Sequence, residues 1–213
     1  MKIGIIGSGA VGQALAKGFQ QEGHTVTLGT RDTSKPEAVQ FNKETGIPVA
    51  DFETTAKTAD LLVLATKGLV AADALRLAGI ANLDNKVIID ATNPLAEKAP
   101  DHGVLHFFTT LEFSLMEQLQ QLAPAAKFVK AFNSVGNAAM YQPQFKEGKP
   151  TMFICGNDEE AKKTVTGLLT AFGWETEDMG AVEAARAIEP LCILWCIPGF
   201  LQNRWTHAFK LLK

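Results

Sequence analysis

Gly7, Gly9 and Gly12 stand at the spacing G-x-G-x-x-G, directly after the apolar run Lys2-Ile3-Gly4-Ile5-Ile6 and at the head of a helical segment from Ala10 to Glu22. A strand that turns through glycines into a helix has the parts needed to hold a pyrophosphate. Gly7 permits the tight turn, Gly9 removes a Cβ that would keep a phosphate away from the backbone, and Gly12 lets the helix lie close on its sheet. The helix start would then present unpaired N–H groups and the positive end of the helix dipole. The first expectation is a dinucleotide site.

Which dinucleotide depends on the end of the second strand, Thr25-Val26-Thr27-Leu28-Gly29. An NAD site usually carries Asp or Glu there, to accept hydrogen bonds from the ribose hydroxyls and repel a 2′-phosphate. This chain has Thr30-Arg31, with Lys35 a short way on. A hydroxyl, a planar guanidinium and an ammonium suit a phosphate monoester, so the reading is NADP(H). Asp32 is a competing partner for Arg31.

The elements that must position these residues alternate as βα units. Ile47-Pro48-Val49-Ala50 reads as a short third strand, and Asp51 as the cap of a helix that turns Phe52 and Ala56 inward. Leu61 to Ala65 is a continuous apolar run, as in a central parallel strand covered on both faces, and leads through Thr66-Lys67-Gly68 into a helix from Leu69 to Leu77. Lys86 to Asp90 is a further strand ending at Ala91-Thr92-Asn93-Pro94. A helix from about Leu111 to Leu122 precedes the strand Phe128 to Phe132, which ends at Asn133-Ser134-Val135-Gly136-Asn137. Thr151 to Cys155 and Trp174 to Asp178 read as two more strands of the sheet, separated by a helix from Asp158 to Phe172. Residues 181 to 212 read as one or two helices interrupted at Pro198-Gly199. The pattern predicts an α/β Rossmann fold, doubly wound with a mostly parallel sheet, in one domain over residues 1–213 with 181–213 as a C-terminal helical extension.

Composition narrows the function classes. A net charge of -3 without a basic run argues against nucleic acid as the main partner. The chain opens directly on its first strand, whose apolar run is too short for a secretory signal, and the apolar stretches near its C-terminus are broken by Arg, Glu and Pro, so that none is expected to span a bilayer. The expectation is a cytoplasmic protein with no membrane partner. Cys155, Cys192 and Cys196 form no CxxC; Cys192 and Cys196 share a helix face, and buried free thiols are the expected state, with no metal site.

The segments Gly7 to Gly12, Gly29-Thr30-Arg31-Asp32, Asp90 to Leu95, Lys130-Ala131-Phe132-Asn133, Cys155 to Asp158, Glu183 to Arg186 and Ile188 to Leu191 together resemble the NADPH-dependent coenzyme F-420 reductases and their bacterial relatives. The reductase domains of the STEAP metalloreductases are a more distant likeness. The resemblance implies that Ser8, Gly9, Ala10 and Val11 hold the pyrophosphate, and that Thr30, Arg31 and Lys35 hold the 2′-phosphate. It places Thr66 and Val70 on the adenosine and nicotinamide side of the cleft, and Val135 and Asn137 against the nicotinamide or the acceptor. Lys67, Asn93 and Asn133, at neighbouring strand ends, complete the expected cofactor-binding set. The archaeal members tend to carry His where Asn133 stands and Pro where Gly136 stands, a departure that bears on the acceptor and not on the nicotinamide cofactor.

The expected activity is hydride transfer between NADPH and a small-molecule acceptor, either coenzyme F-420 or a flavin. It needs two rings held face to face and no side-chain acid or base. His102, His106 and His207 would matter if the acceptor were a carbonyl or imine. A ferric acceptor and a non-catalytic NADP-binding sensor are the other open readings. Trp195, Phe200 and Trp205 fit an acceptor pocket, the core or a subunit contact; the apolar excess of residues 181 to 212 predicts a homodimer.

Overall fold

The computed structural model describes residues 1–213. Its elements, in chain order, are β1 Lys2–Ile6, α1 Ala10–Gln21, β2 Thr25–Gly29, α2 Pro36–Thr45, β3 Val49–Ala50, α3 Phe52–Thr58, β4 Leu61–Leu64, α4 Ala71–Ala78, β5 Val87–Asp90, α5 Leu115–Leu122 and β6 Lys127–Lys130. The remainder contains β7 Thr151–Ile154, α6 Glu159–Ala171, β8 Glu175–Asp178, α7 Ala185–Ile188 and α8 Leu191–Gln202. Six strands form one all-parallel sheet in the order β3-β2-β1-β4-β5-β6. Successive strand residues point to opposite faces, and both faces are covered. Ile3, Ile5, Leu61 and Val63 join the core on one side, with Leu15, Phe19 and Phe172. Ile6, Leu62 and Leu64 join the other, with Phe52, Leu75 and Leu119. This is the doubly wound α/β architecture, and the reversal of strand order at β1 and β4 opens a crevice at the strand C-termini.

Several boundaries differ from the sequence reading. Helix α2 was not legible, because its inward face consists of Ala38 and Phe41 alone; Pro36 at its first position and Gly46, left-handed at φ 71°, fix its ends. The strand expected over 47–50 is two residues long, although Pro48 still accepts a hydrogen bond from the Leu28 N–H. The helix expected from Leu69 begins as a 3-10 turn over Gly68–Val70. The helix expected from Leu111 starts at Leu115, where Ser114 and Glu117 form a reciprocal capping box; Leu111 itself is exposed. β6 ends at Lys130 and not at Phe132, whose positive φ of 64° turns the chain out of the strand.

The C-terminal third departs furthest. β7 and β8 form a separate parallel pair, joined to the main sheet by a single antiparallel bridge between Lys130 and Cys155. Pro198 does not interrupt α8: it lies inside the helix, which closes on Asn203 in the left-handed region. The extension is therefore helical only to Gln202. Beyond it the chain runs back as a strap, with Phe209 accepting from the Thr151 N–H and Leu211 donating to Thr151 Oγ1. The helical stretch Val182–Gln202, with mean hydropathy 1.4, is long and apolar enough to cross a membrane by length and composition, which corrects the expectation that no C-terminal stretch is. Its first half is nonetheless packed into the domain, since Glu189 is buried against Lys130 and Arg186 pairs with Glu117.

Candidate active site

The glycine turn at the end of β1 divides its labour among three residues. Gly7 has φ 129°, and a Cβ there would lie 2.5 Å from the Ala65 carbonyl oxygen. A Cβ on Gly12 would run into the Gly7 carbonyl oxygen, while one on Gly9 would meet nothing within 4 Å. The fold itself therefore requires glycine at 7 and 12, whereas the space beside Gly9 is open and fits a phosphate brought up to the backbone. Helix α1 has Gly9 as its N-cap, with no side-chain cap and no acidic residue in its first turn, so its leading N–H groups remain available to an anion.

Thr30, at the end of β2, is buried; its Oγ1 accepts from Ser8 Oγ at 3.2 Å and thereby ties the second strand to the glycine turn. Asp32 does not take up Arg31. Its carboxylate accepts from the Ser34 hydroxyl at 2.6 Å and the Ser34 N–H at 2.9 Å, and these two hydrogen bonds hold its pKa below the usual carboxylate value. Arg31 and Lys35 are both exposed, and both line a cleft of 430 Å³ together with Gly7, Ser8, Gly9, Thr30, Thr66, Lys67 and Val70. Nine of the expected residues thus share one cavity. A larger hollow of 670 Å³, bounded by Lys149, Glu175 and Lys210, contains none of them.

The rest of the expected set lies elsewhere. Ala10, Val11 and Gly12 occupy the first turn of α1 behind the glycine turn, outside the cleft lining. Asn93 and Asn133 stand at the ends of β5 and β6 and bond to each other: Asn93 Nδ2 donates to the Asn133 carbonyl at 2.7 Å, and Asn133 Nδ2 to Asn93 Oδ1 at 3.3 Å. Val135 is buried, and Asn137 is exposed in the 3-10 turn that follows. The cleft also includes Phe52, Asp73, Leu77 and Glu97, which the sequence reading did not assign to it. Asp73 and Leu77 are one turn apart on α4, so that face was readable once the helix was placed; nothing local marked Glu97. His106 faces Asp101 at 3.0 Å, His207 stacks on Trp195 with Nε2 2.9 Å from the Trp195 carbonyl oxygen, and neither these nor His102 lines the cleft.

A model of the family described as NADP oxidoreductase, coenzyme F-420-dependent, matches residues 2–94. The crystal structure of an Arthrobacter sp. FB24 protein assigned as an F-420-dependent NADP reductase has a TM-score of 0.93 and 32% identity to this chain, over 100% of both. The chain belongs to the coenzyme F-420-dependent NADP oxidoreductase family. The F-420-dependent NADP reductase of Methanocaldococcus jannaschii is 27% identical over 202 residues, covering 90% of this chain and 89% of its own. Metalloreductase STEAP3 of Rattus norvegicus is 29% identical over 209 residues, 94% of this chain but 39% of the rat protein, so the chain spans well under half of that relative's length.

For an NADP-dependent oxidoreductase of this family the fit of residues to cofactor is direct. The open space at Gly9 would accommodate a pyrophosphate, and Arg31 and Lys35, which make no ion pair, would suit a 2′-phosphate. Thr66 Oγ1 and Asn133 Oδ1 are buried acceptors with no partner in the protein, at the ends of β4 and β6. Behind them lies a wholly buried ionic cluster. Lys130 Nζ is 2.7 Å from Asp90 Oδ2 and 2.9 Å from Glu189 Oε1, and donates to the Thr92 carbonyl at 3.0 Å. Burial alone would push this ammonium toward neutrality, but the two carboxylates outweigh it, so that its pKa is raised. The neighbouring Cys155 thiol is pushed up to about 12 by burial and stays protonated. Cys192 is buried and Cys196 half-buried on α8, both free thiols as expected.

Proposed function

We propose that the protein transfers hydride between NADPH, held in the cleft, and a flavin or deazaflavin acceptor of the coenzyme F-420 type. The observation that carries this reading is the free Arg31–Lys35 pair beside Thr30 in the same cavity as the open Gly9 turn. Thr30 and Arg31 grip the 2′-phosphate and the start of α1 holds the pyrophosphate, which directs the remaining half of the dinucleotide across β4 toward β5 and β6. When bound, the nicotinamide supplies the hydride. The groups at that end of the crevice are amides, a hydroxyl and aliphatic carbon: Asn93, Asn133, Thr66 and Val135. They can orient rings and exclude water but none is acidic enough to serve as a general acid near neutral pH, which suits ring-to-ring hydride transfer better than carbonyl reduction.

The likeness to a metalloreductase favours a second reading, in which ferric chelates receive the electrons. NADPH oxidation followed with deazaflavin, flavin, ferric chelates and a carbonyl panel separates the two. Turnover with the deazaflavin or flavin supports the proposal, and turnover confined to ferric chelates or carbonyls overturns it.

The working form we infer is a cytoplasmic homodimer paired through α8, with neither nucleic acid nor membrane as a partner. Leu194, Phe200 and Leu201 are exposed on it and Trp205 just beyond its end, more apolar surface than one helix stripe ordinarily leaves in water. Trp195 meanwhile packs inward: a Cβ on Gly136 would lie 2.9 Å from its ring, so the helix touches the loop that follows Asn133. Sedimentation that finds a stable, fully active monomer would refute the dimer.

A further inference from the structure

The buried cluster around Lys130 closes into a ring that has no counterpart at the phosphate end. Lys130 and Asp90 are register partners, the last residues of β6 and β5. Glu189 reaches them from the start of the C-terminal helices, and its carboxylate also accepts the Leu115 and Met116 N–H groups at the head of α5, at 3.1 and 3.0 Å. From Lys130 the connection passes through the Thr92 carbonyl to the next residue, Asn93, and from Asn93 to Asn133. Asn133 Nδ2 then donates to the Ile188 carbonyl at 2.9 Å, the residue before Glu189.

Two features argue that this ring does more than hold the fold together. Phe132, a bulky buried residue, is held at φ 64°, a left-handed conformation that the surroundings must enforce and that delivers Asn133 to its place. Asn133 Oδ1 is left buried without a partner, although a cluster built for stability alone would have satisfied it. The whole arrangement sits at the C-terminal ends of β5 and β6, the edge of an open α/β sheet where ligands bind.

We propose that Glu189 and Lys130 are positioning residues for the nicotinamide half of the cofactor, acting through Asn133; this rests on the reading of the cleft as the NADPH site. With the Glu189 charge removed, Lys130 keeps Asp90 as its one carboxylate beside the Thr92 carbonyl, the 185–190 turn loses its ion pair to β6, and the orientation of Asn133 is loosened. The phosphate end, built from β1, α1 and β2, is untouched.

The test is a titration of full-length wild type, Glu189→Gln, Asn133→Ala and the double variant with two ligands: NADPH, and 2′-phospho-ADP-ribose, which has the same adenosine and phosphates without the nicotinamide. Glu189→Gln is expected to weaken NADPH about tenfold while 2′-phospho-ADP-ribose stays within about twofold, and the double variant is expected to lose no more than Asn133→Ala alone. Equal losses for both ligands, no loss, or additive losses in the double variant would overturn the proposal. Failure of the wild type to bind either ligand would instead overturn the cleft assignment. If Glu189→Gln does not fold, Arg186→Gln loosens the same turn from its half-exposed rim, where the guanidinium is held by Glu117. The same split between ligands, smaller in size, is then expected, and its absence counts against the proposal.

Discussion

At the phosphate end of the cleft, the residues that shape the site are near neighbours in sequence: Gly7, Ser8 and Gly9 sit in one turn, and Thr30, Arg31 and Lys35 follow one strand. At the other end, Asn93 meets Asn133 across 40 positions, and Glu189 meets Met116 across 73. The first region is open and its two cations, Arg31 and Lys35, are free; the second is buried and its polar groups are nearly all spent on one another. The contrast teaches that a site can be half local motif and half tertiary assembly. Damage to the first half should then remove a ligand and spare the fold, whereas damage to the second should be felt in both.

The sharpest way to break that contrast lies within the glycine turn itself. A Cβ on Gly9 meets nothing within 4 Å in the free protein, so Gly9→Val is expected to leave the fold largely intact and to weaken NADPH by more than about a hundredfold, about 2.7 kcal/mol. Gly12→Ala should do the reverse first. Its Cβ collides with the Gly7 carbonyl, and a loss of about 1–3 kcal/mol in denaturant unfolding is expected even without ligand. Equal destabilisation by the two variants would show that the open space at Gly9 is not reserved for a ligand.

Legibility followed the same division. Five strand ends along one edge, the glycine spacing and the missing acidic residue after β2 could all be read from local patterns, because short continuous apolar runs and turn chemistry are local properties. The ring of Asp90, Lys130 and Glu189 could not, since each member reads alone as a charged residue near a strand or helix end, and their meeting is a product of the tertiary fold. The boundaries that moved did so for identifiable reasons: a capping box at Ser114 in place of a start at Leu111, a left-handed Phe132 that ends β6, and a proline carried inside α8. Helix α2 was missed because two inward residues make too weak a period.

A smaller effect sharpens the buried side. Glu117 is held at about 2, against 4.5 ordinarily, chiefly by the Arg186 guanidinium. A depressed carboxylate contributes stability that is fully present above 4.5 and lost as pH falls toward about 2. Acid titration of the melting temperature should therefore show a decline below 4.5, and Arg186→Gln should flatten it by a few degrees at most, since Arg186 is partly exposed. An unchanged acid profile in that variant would mean that the Glu117–Arg186 pair does not help to hold the 185–190 turn.

The most direct test of the central claim is a calorimetric comparison of NADPH and NADH on the wild type and on Arg31→Ala. If Thr30, Arg31 and Lys35 receive a 2′-phosphate, NADPH binds at least about tenfold more tightly than NADH, and Arg31→Ala removes about 1.4 kcal/mol or more of that preference. Equal affinity of the wild type for the two dinucleotides would contradict the account.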